Sequence, residues 1–178
     1  PPGAIAMQVS EASQRLRAAH ADVEVAKLYN AGSFFDPQAV PDADYEAVAR
    51  AVAGFRQIVI ESHPALVGAR MVRLLEMFTA ASVDGPVAAL EVAMGLETVH
   101  PGALERLNKG ISFETFRQAA VQVHAVGATL RVFLLIAPPF VPADDQDVWL
   151  LRSIDSAVAC GASVVSMIPT RSGNGALE

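Results

Sequence analysis

Five short apolar runs, each separated from the next by a segment of helical character, constrain what this chain can fold into. They lie at residues 23–30, 57–61, 87–95, 129–136 and 163–168. The runs are nearly continuous rather than alternating, which is typical of strands covered on both faces. Parallel strands need a crossover between them, so the alternation predicts an α/β fold with a parallel sheet. That sheet is either open or part of a (β/α) TIM-type barrel.

Prolines and glycines mark where the intervening helices begin and end. Pro41, Pro64 and Pro101 stand where a first helical turn would start, and Gly127 and Gly161 stand where a helix would stop. Helices are therefore expected at residues 4–20, 41–54, 64–80, 101–108, 112–126 and 144–160. No internal repeat and no linker interrupts this pattern, and we predict a single domain over residues 1–178.

Composition restricts the classes of protein to consider. Apolar residues make up 52% of the 178 residues and charged residues 18%, which is enough for a sizeable core. The net charge of −6 argues against a nucleic-acid surface held by charge alone. No apolar run is long enough to span a membrane, the N-terminus has no signal layout, and we expect a cytoplasmic protein. The single cysteine, Cys160, excludes both an internal disulfide and a four-cysteine zinc site.

Polar residues and glycines follow the predicted strands. Parallel α/β sheets carry their sites at the carboxyl ends of the strands, so these residues should converge on one rim. The candidates are Asn30, Gly32 and Ser33 after the first strand, Glu61 at the end of the second, Glu97 after the third, with Lys109 beyond a short helix, and Arg171 after the fifth.

Several of these residues also have a purely structural interpretation, which the sequence leaves open. Glu61 could cap the helix that follows it, because acids favour helix N-termini. His63 and His100 each precede a proline and are typical of turn or N-cap positions. Glu97 follows apolar residues and needs a cavity, a cation or a donor. Backbone amides of the next helix, or Lys109, could supply that partner.

The stretch GLETVHPGALERLNKGIS, residues 95–112, resembles the radical S-adenosylmethionine (radical SAM) superfamily. In many members a strand ends in Gly-x-Glu or Gly-x-Gln, and an Asn-Arg or Asn-Lys pair follows, here Asn108-Lys109. Within the superfamily the chain looks most like the group around the archaeosine-biosynthesis radical SAM protein and its uncharacterised bacterial relatives. Motifs similar to theirs occur in the same order over almost all of residues 1–178: KLYNAGSFFDP, VIESHPALV, LEVAMGLETVHP, LRVFLLIAPPF and IPTRSGNGALE.

The resemblance implies a partial barrel with two cofactors, S-adenosylmethionine and a [4Fe-4S] cluster. The segment from Asn30 to Ser33, including Gly32, matches the backbone that meets the amino group of S-adenosylmethionine. Glu61, Glu97 and Lys109 match side-chain contacts to the same cofactor, and Arg171 is a further candidate on the rim. Carboxylates suit the ammonium and ribose hydroxyls of the cofactor, and a lysine suits its carboxylate.

One departure from the family is large. Its cluster needs three cysteines spaced Cys-x3-Cys-x2-Cys on the loop after the first barrel strand, and this chain has only Cys160. We therefore expect a fragment truncated at both ends, which begins after the cysteine loop and holds strands two to six. The run at 23–30 would then be an exposed sheet edge through which the chain could self-associate. No catalytic residue and no metal ligand is assigned.

Three functions remain as hypotheses. The first is a radical SAM enzyme core that binds a small-molecule cofactor and whose cluster ligands lie outside this chain. The second is a non-catalytic remnant or binding module of the same fold. The third is a phosphate-binding (β/α) enzyme in which residues 171–175 form an anion nest, but no strand-end lysine accompanies that loop. The substrate is open; modified tRNA is suggested by the resemblance alone.

Overall fold

The computed structural model describes residues 3–20, 22–29, 32–82 and 85–170. Helices and strands alternate through these ranges, as the sequence predicts. The helices are α1 Ala4–Ala19, α2 Tyr45–Val52, α3 Ala69–Ala81, α4 Pro101–Arg106, α5 Phe113–Ala125 and α6 Gln146–Ala159. The strands are β1 Val25–Leu28, β2 Gln57–Glu61, β3 Ala89–Glu97, β4 Thr129–Ile136 and β5 Ala162–Pro169. Short 3-10 turns at Asp42–Asp44, Pro64–Leu66 and Ala143–Asp145 precede three of the helices.

The five strands form one parallel sheet in the order β1-β2-β3-β4-β5. A doubly wound sheet would reverse its strand order at a switch point, and this sheet does not. Sequential order is the winding of a (β/α) barrel, so the predicted α/β partial-barrel fold is confirmed.

The two faces of the sheet differ in composition, although the central strands β2 and β3 are largely buried on both faces, as their continuous apolar runs predict. On the face that we call the covered face, alternate residues pack beneath the helices; they include Ile58, Ile60, Val92, Met94, Leu130, Val132 and Leu134. Glu61, Glu91 and Arg131 lie at the intervening positions. We call that second side the open face.

The start of the third helix and the end of the third strand were predicted wrongly. The helix expected from Pro64 is only a 3-10 turn there, and α3 begins at Ala69. Val67 between them has an extended backbone, with φ −72° and ψ 129°, which interrupts the helix. The third strand was predicted to end at Gly95, but β3 continues to Glu97 through a register shift against β4.

The outer strands of the sheet are β1 and β5. Val25 of β1 is 42% exposed and Met167 of β5 is 51% exposed, so both edges present apolar atoms to solvent. Self-association through such an edge stays a prediction. Among the helices described, none has the length and apolar character needed to cross a membrane.

Candidate functional site

A cleft of about 370 Å³ lies at the carboxyl-terminal end of the sheet, on its open face. Its polar side is built from the loop after β1, the ends of β2 and β3, and the loop after α4. Its apolar side is built from Ile111, Phe133, Leu135 and Ile168. The cleft therefore combines a few polar groups with an apolar wall, which is the usual make-up of a small-molecule site.

Five of the seven residues predicted from the sequence line this cleft. They are Gly32, Ser33, Glu61, Glu97 and Lys109. The other two, Asn30 and Arg171, lie outside the described residues. The structure thus brings together residues up to 77 positions apart in sequence (32 to 109), while their role in cofactor binding stays a prediction.

Glu97 reaches the cleft because β3 is irregular at its end. The register with β4 shifts between Gly95 and Glu97, and Glu97 has a left-handed φ of 66°. Such a conformation costs a non-glycine residue about 1–3 kcal/mol. Leu96 between them is fully buried in the core. A Cβ on residue 95 would lie 2.5 Å from Glu97 Oε1, so the carboxylate folds over a position that only glycine can occupy without displacing it.

Lys109 is the partner of Glu97. Its Nζ lies 2.8 Å from Glu97 Oε1, and the Glu97 side chain is only 10% exposed whereas that of Lys109 is 49% exposed. Asn108 and Gly110, both with positive φ, turn the chain after α4 back toward the sheet. The sequence left a cavity, Lys109 or backbone amides of the next helix as possible partners of the Glu97 carboxylate. The structure shows both Lys109 and a cavity beside it. The backbone amide of Ala103 in α4 donates instead to His100 Nδ1, at 3.0 Å.

Glu61 does not cap the turn that follows β2, contrary to one interpretation of the sequence. The capping atom is His63 Nδ1, which accepts a hydrogen bond from the amide of Ala65 at 3.2 Å. Among the described residues, the Glu61 carboxylate has no hydrogen-bond partner. Burial raises the pKa of Glu61, the nearby Glu97 raises it further, and Lys109 opposes both. The cleft thus holds a carboxylate that a bound cation or hydroxyl would stabilise.

A polar cluster on the open face, below the cleft, was not predicted from the sequence. Arg131 Nε lies 2.5 Å from Glu91 Oε1, and its Nη1 donates to Ser166 Oγ at 3.1 Å. Gln57 Nε2 donates to the other oxygen of Glu91 at 3.0 Å. The available signal was the presence of Glu91 and Arg131 inside otherwise apolar strands, at positions that face the same side. The apolar wall was also missed, although Phe133 and Leu135 alternate along β4 in the same way.

The residues of this chain do not fit an iron–sulfur cluster. Cys160 follows α6, and its carbonyl oxygen contacts His124 Nε2 at 3.0 Å, outside the cleft. Burial raises the pKa of the Cys160 thiol, which opposes the thiolate form that a cluster ligand needs. Within the described ranges, no three His, Cys, Asp or Glu residues are grouped so that they could hold a metal ion.

Solved structures that share this fold include two that are described as radical SAM enzymes. The radical SAM methyltransferase TsrM of Kitasatospora setae matches 93% of this chain with a TM-score of 0.55, and 28% of its own length is covered. The cobalamin-dependent SAM radical enzyme OxsB matches 85% of this chain with a TM-score of 0.54. Elp3 of Methanocaldococcus infernus matches 96% with a TM-score of 0.70, over 43% of its length. Sequence identities are 14–16%, so these matches show the fold.

Curated relatives point to a particular group. Archaeosine synthase subunit beta of Thermococcus kodakarensis is 30% identical over 146 residues, which are 80% of this chain and 43% of the relative. The subunit of the same name from Methanosarcina acetivorans is 27% identical over 140 residues, or 74% of this chain and 37% of the relative. This chain therefore spans less than half of these relatives. No family model matches it. The predicted resemblance to the radical SAM superfamily is confirmed.

Proposed function

We propose that this chain is the S-adenosylmethionine-binding part of a radical SAM enzyme core, and that the cleft at the strand ends holds the cofactor. When bound beside a reduced cluster, S-adenosylmethionine supplies hydrogen-abstracting radical chemistry. The ligands of that cluster are not residues of this chain, which contains one cysteine. The residues of this chain bind and orient the cofactor.

The observation that carries the proposal is the convergence on one cleft of five residues that were predicted from the sequence. Their chemistry suits S-adenosylmethionine, which has a sulfonium, an ammonium, a carboxylate and ribose hydroxyls. Glu61 and Glu97 favour the cationic and hydroxyl groups, and the half-exposed ammonium of Lys109 favours the carboxylate. The wall of Phe133, Leu135 and Ile168 offers apolar surface for a flat heterocycle.

The ion pair between Glu97 and Lys109 holds both side chains at the cleft before a ligand binds. Without the lysine, the nearly buried Glu97 carboxylate would lack a compensating charge, at a cost of several kcal/mol. Because half of the Lys109 side chain is exposed, its remaining ammonium protons can be donated to a ligand carboxylate while the pair persists. Glu61 supplies the charge that has no protein partner in the described structure, and a cation near it would favour its ionised form.

A non-catalytic binding module of the same fold is the second candidate. One observation favours it: among the described residues no three His, Cys, Asp or Glu side chains are grouped so that they could hold a metal ion, and the sequence has one cysteine. Such a module would bind S-adenosylmethionine in the same cleft without cleaving it. For the enzyme, modified tRNA, which the sequence resemblance suggests, is the first substrate class to test. Two curated relatives are named archaeosine synthase subunit beta.

The test measures S-adenosylmethionine binding to this chain by isothermal titration calorimetry. Glu97→Ala should weaken binding by roughly 1.5–3 kcal/mol, the scale of a hydrogen bond to a charged group. The matched control is Glu46→Ala, which removes an exposed carboxylate paired with Arg50 on α2, away from the cleft. If both variants bind like the wild type and Glu97→Ala only lowers the melting temperature, Glu97 is a structural residue and the proposal fails.

A further inference from the structure

Two His-Pro turns in this chain are capped in a similar way, one before a 3-10 turn and the other before an α-helix. His63-Pro64 follows β2 and His100-Pro101 follows β3. In each turn the histidine is the N-cap residue, and its Nδ1 accepts a hydrogen bond from a backbone amide, that of Ala65 at 3.2 Å or that of Ala103 at 3.0 Å. Capping alone would therefore make the two histidines equivalent.

The other ring nitrogen distinguishes the two histidines. His63 Nε2 lies 2.8 Å from the carbonyl oxygen of Lys109, which is 46 residues further along the chain. The ring of His100 instead packs edge-on against Trp149, with ring centroids 4.6 Å apart. Because Nδ1 of His63 accepts an amide proton, the proton of the neutral ring is on Nε2, and Nε2–H donates to the Lys109 carbonyl.

Among the described residues, few hydrogen bonds hold the loop that carries Lys109, apart from the bond from the Asn108 amide to the Glu105 carbonyl. Lys109 lies between two residues with positive φ, Asn108 at 50° and Gly110 at 65°, after a helix that ends at Arg106. Its side chain binds Glu97 across the cleft, and its backbone carbonyl binds His63. The backbone amide of His63 also donates to Ser33 Oγ at 2.8 Å. His63 therefore joins three of the segments that form the cleft.

We propose that His63 is a positioning residue that holds the Lys109 loop against the end of β2, and so keeps the Lys109 ammonium at the cleft. This inference rests on the proposed function, because the ligand it serves is the carboxylate-bearing cofactor of that cleft. It assigns His63 a role beyond its cap, whereas His100, with the same cap, has no such role.

Two substitutions separate the cap from the positioning bond. In His63→Asn the amide oxygen can occupy the place of Nδ1 and keep the cap, but no group reaches the Lys109 carbonyl. In His63→Gln the amide nitrogen can occupy the place of Nε2 and keep the bond to Lys109, but the cap is lost. We expect His63→Asn to weaken S-adenosylmethionine binding about three- to tenfold, the effect of one lost hydrogen bond, and His63→Gln to restore most of it.

The matched control is His100→Asn, which keeps the cap of α4 and should leave the affinity unchanged. Equal affinities in His63→Asn and His100→Asn would overturn the proposal. Two measurements do not depend on the ligand. Nitrogen-15 NMR of the wild type should show His63 with its proton on Nε2, and hydrogen exchange at residues 109–111 should be faster in His63→Asn than in His100→Asn.

The affinity measurements test the proposed function, and the NMR and hydrogen-exchange measurements test the role of His63. If the wild-type chain does not bind S-adenosylmethionine, the proposed function fails, while the NMR and exchange data still decide whether His63 holds the loop. A proton on Nδ1 of His63, or unchanged exchange in His63→Asn, overturns the positioning role even where the cofactor binds.

Discussion

The two faces of the sheet are made by the same five strands and differ in what they carry. On the covered face Val92, Met94 and Leu130 are buried without a polar neighbour on their rungs. On the open face Glu61 shares a rung with Ala93 and Arg131, and Glu91 lies one pleat below. The covered face has the composition of a core, and the open face has that of a binding surface.

Burial alone does not identify the core of this molecule. Glu91 is only 3% exposed, as deeply buried as the core residues across the sheet. It is tolerated because Arg131 and Gln57 satisfy both of its oxygens. Near the strand ends Glu97 is paired with Lys109, but the Glu61 carboxylate has no hydrogen-bond partner among the described residues. In the part of the chain that the structure describes, polar pairing is therefore less complete at the cleft than at Glu91.

The largest expected effect comes from breaking the buried pair. Arg131→Met would leave Glu91 charged and without its main partner, and breaking such a pair typically costs about 3–5 kcal/mol of unfolding free energy. Urea denaturation would measure the loss. The double variant Glu91→Leu with Arg131→Met should recover most of it, because two apolar side chains need no pairing. A loss below about 1 kcal/mol in the single variant would mean that water reaches this part of the open face.

Neighbouring leucines of β4 allow the same substitution on opposite faces. Leu134 is fully buried on the covered face, and Leu135 lines the cleft. Leu134→Ala should cost about 2–5 kcal/mol of unfolding free energy, as buried leucines do. Leu135→Ala should cost much less and should weaken S-adenosylmethionine binding instead. Denaturation and calorimetry on both variants would check this. Equal losses of stability would show that the open face also packs as a core.

The sequence predicted the fold, but it did not predict the difference between the two faces of the sheet. The five apolar runs and the prolines at helix starts predicted a parallel sheet with crossover helices, because parallel strands need crossovers. The sequential strand order was implied only by the resemblance to the radical SAM superfamily. The apolar character of the runs suggested two apolar faces, since Glu91 and Arg131 are single charges within long apolar stretches. Glu91 and Arg131 can pair because they lie on the same face of the sheet, and that placement follows from the strand register, which the sequence does not give.

The cleft was predictable in position but not in its details. Residues at the ends of parallel strands converge on one rim whatever their identity, and Gly32, Ser33 and Glu61 followed that rule. The left-handed backbone of Glu97 and the bond from His63 to the Lys109 carbonyl depend on contacts between distant segments. Neither hydrophobic pattern nor residue spacing indicates such contacts.

The smallest expected effect is a pH dependence at Glu61, where the open face gives way to the cleft. Burial raises the pKa of Glu61, Glu97 raises it further, and Lys109 partly offsets the rise. The folded state therefore binds the proton more tightly than the unfolded chain, so the stability contributed by Glu61 falls as pH rises from the ordinary carboxyl range through the raised value. Glu61→Gln should raise the melting temperature at neutral pH, and the gain should shrink under mildly acidic conditions.

The control for this last prediction is Glu46→Gln, which changes an exposed carboxylate on α2 and should not raise the melting temperature. Saturating S-adenosylmethionine should reverse the order of wild type and Glu61→Gln, because a ligand stabilises most the form that binds it best. If Glu61→Gln lowers the melting temperature of the ligand-free protein at neutral pH, the Glu61 carboxylate is already satisfied within the protein. The open face would then end in a completed polar network rather than in a site that a cationic ligand completes.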